Sequence, residues 1–295
     1  MAGMRTDLAM ERKADVHGSG NGVSVERQDV GAMQMTWVHI TNASAAERFG
    51  KPQGAYWSLT HPDLPLLEPE ERMQTAQHVA DALRSMLPPR GDVLVLGLGN
   101  RRMTADALGS RAVEGVLVTR HMKEPALRGV CALSPGVMGV TGIETAEMAL
   151  GLAERLKPAA VIVIDALAAM ETDHICTTIQ VTDTGIHPGS GVGNHRKAIT
   201  QETLHVPVIA MGIPMVVYES TIVRDALRHI LTGEKDAATA EIIAEQLTEQ
   251  LGAELVVTPR NIDELVQGLG DLLALAINAA LHPAFEVDEL SRYLH

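Results

Sequence analysis

The stretch Asp92-Val93-Leu94-Val95-Leu96-Gly97-Leu98-Gly99-Asn100 decides the fold. Its five apolar side chains between Val93 and Leu98 suit a strand covered on both faces, the pattern of a parallel sheet, and the Gly-Leu-Gly-Asn end suits a tight turn leaving that sheet. A second fully apolar run, Ala159 to Ile164, ends at Asp165. Helical periods flank both runs. Met73, Ala76, Val79, Ala80, Leu83 and Leu87 share one face of a segment that Pro88, Pro89 and Gly91 terminate. A helix opens near Asp106 and runs to about Gly115, with a short strand from Val116 to Thr119, and a further helix covers Ile143 to Leu156.

Beyond these lie strands at Cys176 to Val181 and Pro207 to Met211, then a helix through Thr221 to Leu231. Helices over Ala237 to Leu251 and Asn261 to Ala280 flank a short strand at Glu254 to Val257. Strands alternating with amphipathic helices predict an α/β domain, a mostly parallel sheet with helices on both faces plus additions. The polar, glycine-bearing N-terminal stretch reads as a mobile arm or extended segment, with regular structure starting near Pro69.

Composition narrows the function. Of 295 residues 46% are hydrophobic but only 2% aromatic, so the core is built from Ala, Val, Leu, Ile and Met. A formal charge of −13 repels nucleic acid and anionic lipid, which argues against a general DNA binder. Local basic pairs, Arg101-Arg102 and Arg196-Lys197, could still meet an acidic protein or lie solvated at the surface. Cys131 and Cys176 lack metal or redox spacing, which points to a reduced, cytoplasmic setting. No signal peptide and no run of membrane-spanning length is read in the chain.

In doubly wound folds the chemistry sits beyond the carboxyl ends of the strands. Two strand exits here carry acids, Asp106 and Asp165. Two carboxylates held close share a proton, so one can activate a water while the other donates. On spacing alone they read first as a helix cap and a turn residue. The run Thr182-Asp183-Thr184-Gly185-Ile186-His187-Pro188-Gly189-Ser190-Gly191-Val192-Gly193-Asn194 contains four glycines, so its backbone can approach a ligand closely. It lacks a Gly-Lys-Ser/Thr ending and is not a phosphate loop of that type. Gly97-Leu98-Gly99 lacks the third dinucleotide glycine, since Arg102 stands there. His187 with Asp106 and Asp165 would make a carboxylate-rich metal site. No serine-hydrolase elbow is present.

Gly97-Leu98-Gly99-Asn100, Thr104-Ala105-Asp106-Ala107-Leu108-Gly109, Ile164-Asp165-Ala166-Leu167-Ala168 and the glycine run from Asp183 to Asn194 together resemble the spore germination protease family. So do Arg5-Thr6-Asp7-Leu8-Ala9-Met10-Glu11 and Leu255-Val256-Val257-Thr258-Pro259. The resemblance covers nearly the whole chain. It implies an endopeptidase that degrades small acid-soluble spore proteins during germination, is made as a zymogen, forms homotetramers and works in the spore core. It implies a fold similar to hydrogenase maturation endopeptidases, catalytic aspartates at Asp106 and Asp165, and no metal or other cofactor. Gly185, His187, Gly189, Gly191 and Asn194 become candidates for holding substrate.

The family cleaves after an acidic residue followed by an apolar residue, an alanine and, further on, a glutamate, and Asp7-Leu8-Ala9-Met10-Glu11 has that order. Autocleavage between Asp7 and Leu8 follows, with residues 1–7 a propeptide and 8–295 one peptidase domain whose N-terminal segment is irregular to about 68. The chain departs from the pattern at Ser110, where proline is expected, and over Ala14 to Gln34, which does not align. Two alternatives stand beside this reading: a metallopeptidase of hydrogenase-maturation type using Asp106, Asp165 and His187, and a non-catalytic protein that holds spore proteins on the Gly185 to Asn194 loop.

Overall fold

The computed structural model describes residues 6–12, 22–122, 127–187, 197–230 and 255–284, with helical positions at 239, 242, 243 and 246. In chain order the elements begin with β1 (Val23–Val30), β2 (Met33–Ile40), α1 (Ala43–Phe49), β3 (Gly54–Thr60), α2 (Pro69–Met86) and β4 (Val93–Gly97). Next come α3 (Leu108–Glu114), β5 (Val130–Leu133), α4 (Met138–Thr141), α5 (Thr145–Leu156), β6 (Ala160–Ala169) and β7 (Thr178–Thr182). The remainder is α6 (Gln201–Leu204), β8 (Val208–Tyr218), α7 (Glu219–Ile230), β9 (Val256–Val257) and α8 (Ile262–Leu281). Of the expected helix over Ala237 to Leu251 only those four positions are described; the rest lies outside the described residues.

One sheet runs β1-β2-β3-β7-β8-β6-β4-β5, with β9 joined to the far part of β8. Its core is parallel: β4 pairs in parallel with β5 and with β6, and β6 with β8. β4 and the first part of β6 are the strands that read as unbroken apolar runs, β5 is not read as a strand, and alternation explains the first two. Val93, Val95, Ile162 and Ile164 point into a layer made with α2, α3 and α8, whereas Leu94, Leu96, Val161 and Val163 point into a second layer made with α5 and α6. Both faces are dry along these runs, so every position from Val93 to Leu96 and from Ala160 to Ile164 is apolar.

From β7 to β1 every pairing is antiparallel. Here the sequence expectation is corrected: the segment before Pro69 is not irregular, because β1, β2, α1 and β3 extend the sheet. Trp37 and Trp57 face each other across β2 and β3, edge to face with centroids 6.5 Å apart. Asn42 caps α1 through its side chain, accepting from the Ala45 N–H, and Gly50 closes it in the left-handed conformation.

Two smaller corrections concern the parallel half. Val116 to Thr119 is not a strand; the Thr119 and Arg120 N–H groups both donate to the Val130 carbonyl, and the edge place beside β4 belongs to β5. α8 is 20 residues long and apolar enough to cross a membrane, contrary to the expectation that no run reaches that length. Its apolar residues are instead buried against α2 and α3, as in a core helix of a folded domain.

Candidate active site

Asp165 does not end its strand. β6 continues to Ala169 because β8 keeps pairing with it, first Asp165 with Gly212 and then, past a register shift at Leu167, Ala168 with Val216. Ile164 belongs to the α2/α3/α8 layer, so Asp165, only 7% exposed, faces the other side of the sheet together with Leu167. On that side β7 presents Gln180, whose register partner on β8 is again Gly212. Asp165 and Gln180 thus flank a glycine across three adjacent strands, about 10 Å apart at the backbone. A Cβ on Gly212 would lie 2.2 Å from the Asp165 carbonyl oxygen and 2.9 Å from the Leu167 side chain, so this spot admits no side chain without displacement.

Asp106 lies in a 3-10 turn, Thr104–Asp106, that packs against β6, β8 and α8. Its Oδ2 accepts the Asn100 N–H at 2.7 Å. Gly99 makes this possible: its φ is +98°, and a Cβ there would be 1.8 Å from the Asp106 carbonyl oxygen. The Leu98 N–H donates to the Ile164 carbonyl at 2.8 Å, extending the β4–β6 ladder to the residue before Asp165. The turn that carries Asp106 and the strand that carries Asp165 therefore meet.

Residues 6–12 lie across the same face of the sheet. Leu8 is fully buried against Leu167, Ala169 and Val217, and Ala9 against Val38, Ile40, Ala45, Phe49 and Tyr56. The Asp7 N–H donates to the Ala168 carbonyl at 3.0 Å, and Asp7 Oδ2 accepts the Ala168 N–H at 2.9 Å. Lys51 Nζ donates to the carbonyls of Thr6 and Asp7 at 2.9 and 3.0 Å. Gln180 Nε2 donates to the same Asp7 oxygen at 3.0 Å, while Gln180 Oε1 accepts the Ala9 N–H at 2.7 Å. One glutamine side chain thus spans the Asp7–Leu8 peptide bond. Burial pushes the Lys51 pKa down, against the opposing charge of Asp7.

Glu11 is 1% exposed and ends the docked stretch. Its carboxylate accepts the N–H groups of Met170 at 2.7 Å and Glu171 at 2.9 Å, and pairs with His174 Nδ1 at 2.7 Å; the Thr6 hydroxyl donates to it as well. Burial opposes charge on His174, but the hydrogen bond and charge of Glu11, with Glu171 and Asp173, outweigh it and raise the pKa. The loop that supplies these donors is held from α7. Arg224 donates to the Met170 carbonyl, and Asp225 accepts from the Thr172 N–H and hydroxyl. Those contacts keep Asp225 ionised to lower pH despite partial burial.

Of the candidate loop, Gly185 and His187 line a cleft beside Asp7, Lys51, Tyr56 and Gln180. Gly189, Gly191 and Asn194 lie outside the described residues. Among the described residues no three His, Cys, Asp or Glu side chains converge as a metal-binding set, so Asp106, Asp165 and His187 do not form one. Cys176 is buried, its thiol pushed up to about 12 by burial, and is no nucleophile. Sequence reasoning missed Lys51, Gln180, His174 and Arg224. Each is a lone polar residue, and no local pattern joins Lys51 to Gln180 or either of them to Asp7; only the sheet order does.

The family model described as Germination protease matches residues 4–238 and 232–294. A germination protease of Caldanaerobacter subterraneus subsp. tengcongensis is 38% identical over 319 residues, covering 99% of this chain and 98% of that protein. One from Clostridium acetobutylicum is 35% identical with both chains fully covered, and one from Bacillus cytotoxicus is 35% identical over 99% of this chain and 97% of its own. Among solved structures, a nickel–iron hydrogenase maturation protease from Thermococcus kodakarensis aligns with a TM-score of 0.31 and 18% identity, over 58% of this chain and 99% of that one.

Proposed function

The chain belongs to the germination protease family, and from that premise we propose that it is a self-processing endopeptidase whose first substrate is its own Asp7–Leu8 bond. The observation that carries this reading is the docking of Thr6–Glu11. The acid, the apolar residue, the alanine and the glutamate of the cleavage pattern each occupy a distinct contact set, and the peptide bond after the acid lies on the face that carries Asp165.

In this mechanism Asp106 and Asp165 share one proton. The ionised carboxylate takes a proton from a water, whose oxygen attacks the Asp7 carbonyl carbon. The protonated carboxyl then delivers its proton to the Leu8 nitrogen as the C–N bond breaks. The products are a carboxyl-terminal Asp7 and an amino-terminal Leu8. Small acid-soluble spore proteins that present the same acid, apolar, alanine and glutamate order are the substrates once the cleft is vacated, in the spore core, and the working assembly is a homotetramer. Mass spectrometry of the purified full chain under mildly acidic, partly dehydrating conditions tests the reading. The expected species begins at Leu8; a chain that stays intact, or that is cut elsewhere only, would overturn it.

A further inference from the structure

Building on the peptidase reading, we propose that Lys51 and Gln180 form a two-donor cradle that stabilises the negative charge developing on the scissile carbonyl oxygen. Both donors reach one atom, the Asp7 oxygen, each at 3.0 Å. They approach from separate elements, Lys51 from the turn just after α1 and Gln180 from β7. The orientation of the Gln180 amide is fixed by its neighbour: the Ala9 N–H can only donate, so Oε1 faces it and Nε2 faces the Asp7 oxygen. The second contact of Lys51, to the Thr6 carbonyl, anchors the ammonium beside the reacting group.

The chemistry asks for such donors. When water oxygen bonds to the Asp7 carbon, the C=O π electrons move onto the carbonyl oxygen, and the water's proton passes to a carboxylate. The oxygen then carries a full negative charge until the C–N bond to Leu8 breaks, its electrons leaving with the nitrogen, which takes up the proton. Preorganised donors aimed at that oxygen in a water-poor site act on the transition state more than on the ground state. Burial, which depresses the Lys51 pKa, also strips the ammonium of hydration, so it meets the oxyanion with little competing water. Two aspartates supply proton transfer but no positive charge; the cradle supplies the missing electrostatic part.

The alternative is that both side chains only dock the segment. Self-cleavage of the full chain separates the two, followed as a first-order rate by mass spectrometry, with hydrogen exchange over residues 6–11 reporting docking. Gln180→Glu keeps the acceptor for Ala9 and loses the donor to Asp7; it should slow cleavage by about 100-fold or more while residues 6–11 stay protected. Lys51→Met should do likewise, and Lys51→Arg should recover part of the rate. Should Lys51→Met fail to fold, Gln180→Glu and Lys51→Arg still decide the matter. Rates within threefold of wild type, or losses matched by lost protection, would overturn the cradle alone. A wild-type chain that is never cut would overturn the peptidase reading and the cradle with it.

Discussion

The two halves of the sheet are built by different rules. In the parallel half, β4, β5, β6 and β8 lie between two helical layers, and β4, β6 and most of β8 are buried along their length. In the antiparallel half, β1 has no buried residue and β2 leaves Gln34 and His39 exposed among otherwise buried or half-buried positions. The first half holds both acids, and the second contributes Lys51 and Gln180. They meet at β8, which runs parallel to β6 and antiparallel to β7. The Asp7–Leu8 bond lies over this junction, with Asp7 bonded to Ala168 of β6 and to Gln180 of β7. The docked stretch is held from both sides: β6 and the loop after it bind Asp7 and Glu11, and the antiparallel half supplies Lys51 and Gln180 to the Asp7 carbonyl.

The largest expected effect tests the parallel half. Asp165→Asn or Asp106→Asn should slow self-cleavage by about 10³-fold or more with little change in thermal unfolding; cleavage at the wild-type rate in either variant would break the assignment. Removing grip should cost less. Glu11→Ala leaves two half-buried N–H groups and His174 without their buried carboxylate, a loss of about 2–5 kcal/mol in docking. Hydrogen exchange should show residues 6–11 released, and cleavage should fall by tens of fold. Unchanged protection would mean that the carboxylate contacts do not hold the segment.

The seam itself can be probed with Gly212→Ala. The added Cβ meets backbone at 2.2 Å, so chemical denaturation should show a loss of about 1–3 kcal/mol, with β6 and β8 forced apart beside Asp165. An unchanged midpoint would show that the seam yields freely. The smallest effect is in pH. Since the pKa of His174 is raised on docking, its pairing with Glu11 favours the docked state fully below the ordinary histidine pKa and is lost as pH rises through the raised value. Protection of residues 6–11 should therefore weaken severalfold over that window, and His174→Gln should flatten the profile; a profile unaltered by the substitution would assign the dependence elsewhere.

The same contrast governs what could be read from the chain. β4, and β6 as far as Ile164, are legible because burial on both faces makes every residue there apolar. β1 is not: Val23-Ser24-Val25-Glu26-Arg27 resembles a polar tail until β2 pairs with it. Asp165 was read as a strand end because charge interrupts the apolar run, yet β8 continues the ladder past it. The docked motif was legible as a string of residue types. Its receptor was not, because Lys51, Ala168, Met170, His174 and Gln180 are brought together only by strand order, and a single backbone N–H such as that of Ala168 leaves no mark in a sequence.

The contacts of the N-terminal stretch also set an order of events in biosynthesis. Asp7 bonds to Ala168, 161 residues away, and Ala9 to Gln180, 171 residues away. The groups that hold the stretch are spread over β6, β7 and β8, so it finds its place only when those strands already stand side by side. Residues 6–11 are thus late to settle. Fold checking is built into that order: a molecule that has misassembled its sheet offers no docking place for residues 6–11.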